Sequence, residues 1–344
     1  MAGTPSCAIV HHKTPGMAAD ASLLAAAIRA SSPRARIATW ELPGRFARDY
    51  TTSIEIGSDL PVQPPFDFLF LLEHAHANPP LLDPAFARHI VYVPNVEWLS
   101  PLDEQVIASG AIDTVLLKTH HSAAVFSSLE GAGRVKNGVV YTGWTSADVG
   151  QPAEDERRWD LCLNVCGRSK QKNADVIIPV WLKNPDLPDM TIVAAASTPV
   201  DLKIPLRASD NLHVHVNKLP EPELRALQRR SGIHVCPSIA EGFGHTLNEA
   251  RAAAALLITT HGPPMNELVE DGSSGILIPV RPENRERFHL APGFRVTADD
   301  LEQSVRRALA LTPEQRREMG LRARKLYEDG RERFHASIRR FIGA

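Results

Sequence analysis

Several features are scarce in this chain, and each scarcity excludes something. Only 4 of the 344 residues are cysteine, and 6% are aromatic. Cys7, Cys162, Cys166 and Cys236 form no C-x-x-C pair and no metal-ligand spacing, and each sits in an apolar stretch that reads as a strand. Buried thiols in a reducing compartment account for them better than a zinc or redox site. Charge of one sign is missing as well. Lys and Arg number 38 against 40 Asp and Glu, a formal net charge of −2, so no global field steers the chain toward nucleic acid. No apolar run approaches the ~20 residues of a membrane helix. The opening MAGTPSCAIV lacks the basic start and long apolar stretch of a signal peptide, so a cytoplasmic protein is expected. A dinucleotide fingerprint is also wanting. The nearest stretch, EGAGRVKNG around Gly131 and Gly133, follows a helical pattern and precedes a strand, the reverse of the required context.

What the chain does have is a soluble globular balance, 43% hydrophobic and 23% charged, over a length that suits two domains. Short apolar runs alternate with helical patterns. Strands are expected near Ser6–Val10, Arg36–Glu41, Phe66–Leu72, Ile90–Pro94, Thr114–Leu117 and Val139–Thr142. A second set is expected near Asp160–Cys166, Thr191–Ala196, Leu212–Val216, Ile233–Pro237, Leu256–Thr259 and Gly275–Pro279. Leu224–Arg230, Glu249–Ala255 and Leu301–Leu309 are the clearest helices. Strand–helix alternation implies parallel sheets covered on both faces, hence an α/β protein of two doubly wound domains. The polar stretch GQPAEDERRWD, Gly150 to Asp160, reads as the linker. The domains are therefore expected at 1–150 and 151–320, with a helix over 321–344. That tail is announced by Thr312-Pro-Glu-Gln, an N-cap, a proline at the first helical position and a capping glutamine. Phe334, Ile338, Phe341 and Ile342 then share one helical face.

The stretch SIAEGFGHTLNEA, residues 238–250, carries the chemistry. Glu241 and Glu249 are eight positions apart, which leaves them roughly 80° apart around a helix and on no common face. Thr246 and Glu249 have the T-x-x-E spacing of a capping box, so a helix is expected to start near Thr246, at the carboxyl end of a strand. Free N–H groups and the positive helix end attract phosphate there. Gly242 and Gly244 let backbone approach a ligand. Carboxylates accept hydrogen bonds from pairs of sugar hydroxyls. An anion-binding turn flanked by two hydroxyl acceptors suits a nucleotide sugar.

EGFGHTLNEA resembles the Glu-x7-Glu motif of retaining glycosyltransferases of GT-B architecture, the glycosyl transferases group 1. LNVCGRSKQKN, Leu163 to Asn173, resembles that family's strand and Gly-Arg…Lys segment. LHVHVNKLPEPELRALQRRSGIHVCPS and PPMNELVEDGSSGILIPV resemble the segments before and after the motif. The resemblance implies two Rossmann-like domains with a cleft between them, the donor held by the second and the acceptor by the first, and a C-terminal helix over 321–344 that crosses back to pack on the first domain. It implies that Glu249 binds the ribose hydroxyls and Glu241 hydroxyls of the transferred sugar. The N–H groups of Phe243, Gly244, His245 and Thr246 would face the sugar and diphosphate. Arg168, with Gly167 before it, and Lys172 match the phosphate-binding basic pair, Lys170 competing for the lysine's place. Asn217 to Leu219 match the segment that touches the base.

On the N-terminal side, Gly16 in HHKTPGMAADA stands where the family often has a glycine-rich loop. His74, His76, His120 and His121 are candidates for a histidine facing the sugar, and Glu97 and Trp98 for lining an acceptor site. The expected activity is a retaining, metal-independent transfer from a nucleotide-diphosphate sugar to an acceptor hydroxyl, without cofactor. The acceptor, glycan, lipid or small molecule, stays open, as does peripheral contact with a membrane. A non-catalytic sugar-nucleotide-binding subunit and a GT-B phosphorylase or epimerase are the alternatives.

Overall fold

The computed structural model describes residues 4–42, 64–75, 79–194, 209–217 and 219–343. His76, residue 218 and the end of the strand expected over Thr191–Ala196 lie outside the described residues. The chain divides into two compact units. The first comprises Met1–Ser146, Phe288–Ala291 and Gly330–Ala344, the second Ala147–Arg287 and Pro292–Asp329.

In the first unit the elements run β1 (Ser6–His12), α1 (Pro15–Ser31), β2 (Arg36–Leu42), β3 (Phe68–Glu73), β4 (Ile90–Pro94), α2 (Pro101–Ala108), β5 (Thr114–Leu117), α3 (His120–Ser127) and β6 (Val139–Tyr141). The six strands form one parallel sheet in the order β2-β1-β3-β4-β5-β6. All seven residues of β1 are buried, as a central parallel strand covered on both faces requires. Helix starts are set by local chemistry. Thr14 caps α1 by accepting from Met17 N–H at 3.3 Å. Ser100 and Asp103 form a complete capping box at α2.

The chain continues through the second unit with β7 (Arg158–Gly167), α4 (Ala174–Lys183), β8 (Asp189–Ala194), β9 (Leu212–His215), α5 (Glu221–Arg230), β10 (Ser231–Cys236), α6 (His245–Ala252), β11 (Leu256–Thr260), β12 (Gly275–Ile278), β13 (Arg285–Phe288), β14 (Ala291–Phe294), α7 (Ala298–Leu309) and α8 (Pro313–Gly343), of which Phe288–Ala291 and the part of α8 from Gly330 belong to the first unit. Its parallel sheet has the order β12-β11-β10-β7-β8-β9. The sequence order reverses at the β7–β10 pair, and in open α/β sheets the carboxyl ends of the strands at such a reversal hold the ligand. The two strands approach so closely that a Cβ on Gly232 would stand 2.7 Å from the Arg158 carbonyl oxygen.

Each expected strand has a counterpart, with ends shifted by a few residues. β7 begins at Arg158, inside the stretch read as linker. The paired strands β13 and β14 were not anticipated. Their residues, RERF and APGF, are too charged or too rich in glycine and proline to carry an apolar pattern. The capping box of Thr312 and Gln315 forms, each side chain accepting from the other's backbone N–H. At the other end of α8, Phe334 and Ile338 are fully buried and Phe341 packs on the rings of Phe68 and Phe70.

The first unit also holds a charged cluster in its interior. Lys118, 2% exposed, donates to Asp20 Oδ2 at 2.5 Å and to Asn95 Oδ1 at 2.7 Å. Asp20 Oδ1 accepts from the Trp144 indole N–H, and Trp144 packs on Phe334. The four cysteines are buried thiols, and burial pushes Cys7, Cys162 and Cys236 up to about 12. No helix among the described residues is long and apolar enough to cross a membrane.

Candidate active site

Two neighbouring strand ends build the site. β7 closes on Gly167, whose φ of 55° turns the chain sharply. Arg168 and Ser169 lead into a 3-10 turn, Lys170–Lys172. β10 ends at Cys236 and its loop stays buried through Gly244. The Ile239 N–H donates to the Gln171 carbonyl at 2.7 Å, which ties the two loops together.

Across that tie, Lys172 Nζ donates to Glu241 Oε1 at 2.6 Å and to Thr246 Oγ1 at 3.2 Å. Burial alone would lower the Lys172 ammonium. The Glu241 carboxylate outweighs it, with Cys236 and Glu249 acting in the same direction, and the net displacement is upward. The lysine is therefore a fixed cation at neutral pH. Of the two competing lysines, Lys172 is the one turned into the loop, while Lys170 is exposed. Arg168 is exposed and pairs with no carboxylate among the described residues. The structure thus joins Lys172, Glu241 and Thr246, and sets Arg168 at the rim.

The expected capping box of Thr246 and Glu249 does not form. Helix α6 starts at His245, immediately after Gly244, whose φ is +95°, and no side chain caps it. Thr246 is already inside the helix, with Lys172 on its hydroxyl. Glu249 turns the other way. Its Oε1 meets Arg225 Nη1 at 3.1 Å and its Oε2 accepts from Gln228 Nε2 at 2.7 Å. The first-turn N–H groups of a helix have no intrahelical partner, so this end can receive an anion through backbone alone. Gly242 and Phe243 are buried in the approach, and the Phe243 and His245 rings meet edge to face.

Arg225 and Gln228 were not singled out in the sequence. Their i, i+3 spacing on α5 was the available signal. Asn217 and Leu219 follow β9, at the sheet's edge, with Asn217 exposed. Among the described residues neither is hydrogen-bonded to Lys172, Glu241 or Glu249.

In the first unit, Gly16 is not in a loop. Thr14 and Pro15 begin α1, so Gly16 lies in its first turn, where an added Cβ would meet nothing within 4 Å. His74 follows β3 directly. Its Nδ1 is 3.1 Å from Asp103 Oδ2, whose other oxygen accepts from Ala75 N–H at 2.7 Å. Asp103, missed in the sequence, was legible there as the partner in the S-x-x-D spacing from Ser100. His12 packs edge to face on His74. His120 stacks on Tyr141, and His121 is buried, which lowers its imidazole. Glu97 is buried and Trp98 packs on His289. Among the described residues no group of three or more His, Cys, Asp or Glu is placed to hold a metal ion.

Two doubly wound sheets with this strand order define the GT-B class, and solved structures agree. The sucrose-phosphate synthase of Thermosynechococcus elongatus superposes with a TM-score of 0.68 at 13% identity, covering 98% of this chain and 97% of that one. Anabaena HepE, solved with UDP and glucose, gives 0.65 at 13% identity over 98% of each chain. The pneumococcal O-GlcNAc transferase GtfA, solved with UDP and GlcNAc, gives 0.58 at 18% identity over 80% of this chain. This chain spans 57% of GtfA's length. No curated protein matches by sequence. Residues 168–326 match the family described as glycosyl transferases group 1. The matched stretch takes in Arg168, Lys172, Glu241 and Glu249 and lies in the second unit except at Phe288–Ala291.

Proposed function

We propose that the protein is a retaining, metal-independent glycosyltransferase that acts in the cytoplasm and transfers a sugar from a nucleotide-diphosphate sugar to an acceptor hydroxyl. One observation carries this reading: Lys172, Glu241 and the side-chain-free start of α6 converge at the strand reversal of the second sheet. A diphosphate at that helix end receives hydrogen bonds from the N–H groups of the first turn. Its negative charge grows as the glycosidic bond breaks. Lys172, with Arg168 at the rim, stabilises that charge without a metal. The incoming diphosphate competes with Glu241 for Lys172 and leaves the Glu241 carboxylate to accept from hydroxyls of the transferred sugar. Glu249 takes the ribose. Asn217 and Leu219 face the base.

The acceptor docks on the first unit, at the carboxyl ends of β1 and β3, where that sheet reverses order and where His74 is fixed by Asp103. No carboxylate is assigned as a covalent nucleophile. The acceptor hydroxyl attacks on the face the diphosphate leaves, and the leaving phosphate oxygen takes its proton. One C–O bond forms as another breaks, and configuration at the anomeric carbon is retained.

UDP complexes among similar folds make UDP the first nucleotide to try. Thermal-shift screening against UDP, GDP, ADP and dTDP, with their common sugars, tests the donor site. A ligand at a hundred times its Kd adds about 2.7 kcal/mol. The wild type should be stabilised by one nucleotide, and Glu249→Ala much less. No shift with any of them would reject the reading. Product of inverted configuration would reject retention alone. A requirement for free phosphate would move the protein to the phosphorylases.

A further inference from the structure

The Glu249 carboxylate is held more firmly than hydroxyl binding alone requires. Arg225, Gln228 and Glu249 form a closed triangle. Arg225 Nη1 donates to Gln228 Oε1 at 3.1 Å and faces Glu249 Oε1 at 3.1 Å. Gln228 Nε2 donates to Glu249 Oε2 at 2.7 Å. Gln228 is 1% exposed, so its amide has no room to reorient. Its backbone carbonyl is fixed too, 3.0 Å from His234 Nε2 on β10. Two helices therefore present this carboxylate, α6 carrying it and α5 setting its plane.

An ionised carboxylate has about four acceptor positions, two on each oxygen. Gln228 occupies one on Oε2, and Arg225 Nη1 faces Oε1 as an ion-pair partner. At least one position per oxygen is left, and the side chain is 15% exposed. That pair suits two adjacent hydroxyls, one hydrogen bond to each oxygen. With a single hydroxyl, one oxygen gains nothing.

Resting on the donor reading above, we propose that Arg225 and Gln228 are positioning residues which lock the Glu249 carboxylate for a vicinal diol, so that this triangle selects ribonucleotides over 2′-deoxyribonucleotides. Neither residue touches the nucleotide. They act by removing the rotational freedom that an unheld glutamate would lose on binding, and by fixing the direction of its free lone pairs.

The test compares UDP, GDP and ADP with dUDP, dGDP and dADP, by calorimetric titration of the full chain. Hydrogen bonds to a charged group predict that the wild type prefers the ribose form by about tenfold or more. Arg225→Met and Gln228→Leu should weaken the ribonucleotide by about tenfold and leave the deoxynucleotide within about twofold, which collapses the preference. Arg225→Lys keeps the charge without the planar guanidinium and should fall between, and it serves where Arg225→Met fails to fold. Urea unfolding of each variant separates folding from positioning. A purely structural role would weaken both nucleotide forms equally and preserve their ratio, and that outcome overturns the proposal. A wild type that binds nucleotides without regard to the 2′-hydroxyl overturns it while the donor reading stands. A wild type that binds none of them removes both.

Discussion

At the scale of single residues, the site turns on which cation is held and by what. Lys170 and Lys172 are two positions apart, yet only Lys172 reaches Glu241, whose carboxylate is 9% exposed. Removing one partner of a largely buried pair leaves the other charge uncompensated, and full burial costs about 3–5 kcal/mol. Lys172→Met should therefore lower the urea-unfolding free energy by about 2 kcal/mol, less than that limit because both partners keep some exposure. It should also reduce kcat/KM at least about a hundredfold, if the lysine stabilises the leaving diphosphate. Lys170→Met should alter stability by less than about 0.5 kcal/mol, as an exposed substitution does. Steady-state rates and urea midpoints of the two variants decide between them. Equal effects would mean that the 2.6 Å pair does not distinguish the lysines. The sequence contained both candidates but could not rank them, because the choice depends on Glu241, 69 positions away.

At the scale of elements, strands were legible and helix starts only partly so. Strands such as β1, SCAIVHH, and β11, LLITT, are wholly buried runs whose apolar character marks them directly. The pair β13 and β14 carries no such signal. Thr246 shows the limit of a local motif. Its T-x-x-E spacing fits a capping box, but both side chains are engaged by Lys172 on one side and by Arg225 and Gln228 on the other. Thr297, by contrast, is a true cap, accepting from Asp300 N–H at 3.1 Å. Thr297→Ala should cost about 1 kcal/mol of stability, the usual value for a lost cap. Thr246→Ala should cost well under half as much and instead weaken the nucleotide that stabilises the wild type. Urea midpoints alone would contradict this assignment if the two losses were equal. The glutamate of the false box is the one proposed above for the ribose, and a helix whose polar first turn is left uncapped is what an anion site needs.

At the scale of the whole molecule, sequence showed two doubly wound units but not the interior ionisation that governs their stability. His234, fully buried on β10, is lowered by desolvation from 6.5 to about 4. Its backbone hydrogen bond to Gln228 opposes the shift without cancelling it. His89, His121 and His335 are displaced the same way, each mainly by burial. Between pH 6.5 and 4 the unfolded chain binds a proton at residue 234 that the folded chain refuses. Stability must then rise with pH across that window, by about 1.4 kcal/mol per unit for one proton, or roughly 3 kcal/mol in all. Below pH 4 both states are protonated at this histidine and the slope from it vanishes. Asp67, held low by Ser6 and Arg88, acts at more acid pH, where its stabilisation is lost as the carboxyl protonates. The histidine window is thus separable from the carboxylate one. Urea unfolding at pH 7, 6, 5 and 4.5 should show a shallower decline for His234→Gln than for the wild type, whatever their difference at pH 7. Parallel declines would mean that the imidazole is protonated inside the fold. His234 would then be a further interior cation of the second unit, beside the backbone carbonyl of Gln228, whose side-chain amide donates to Glu249.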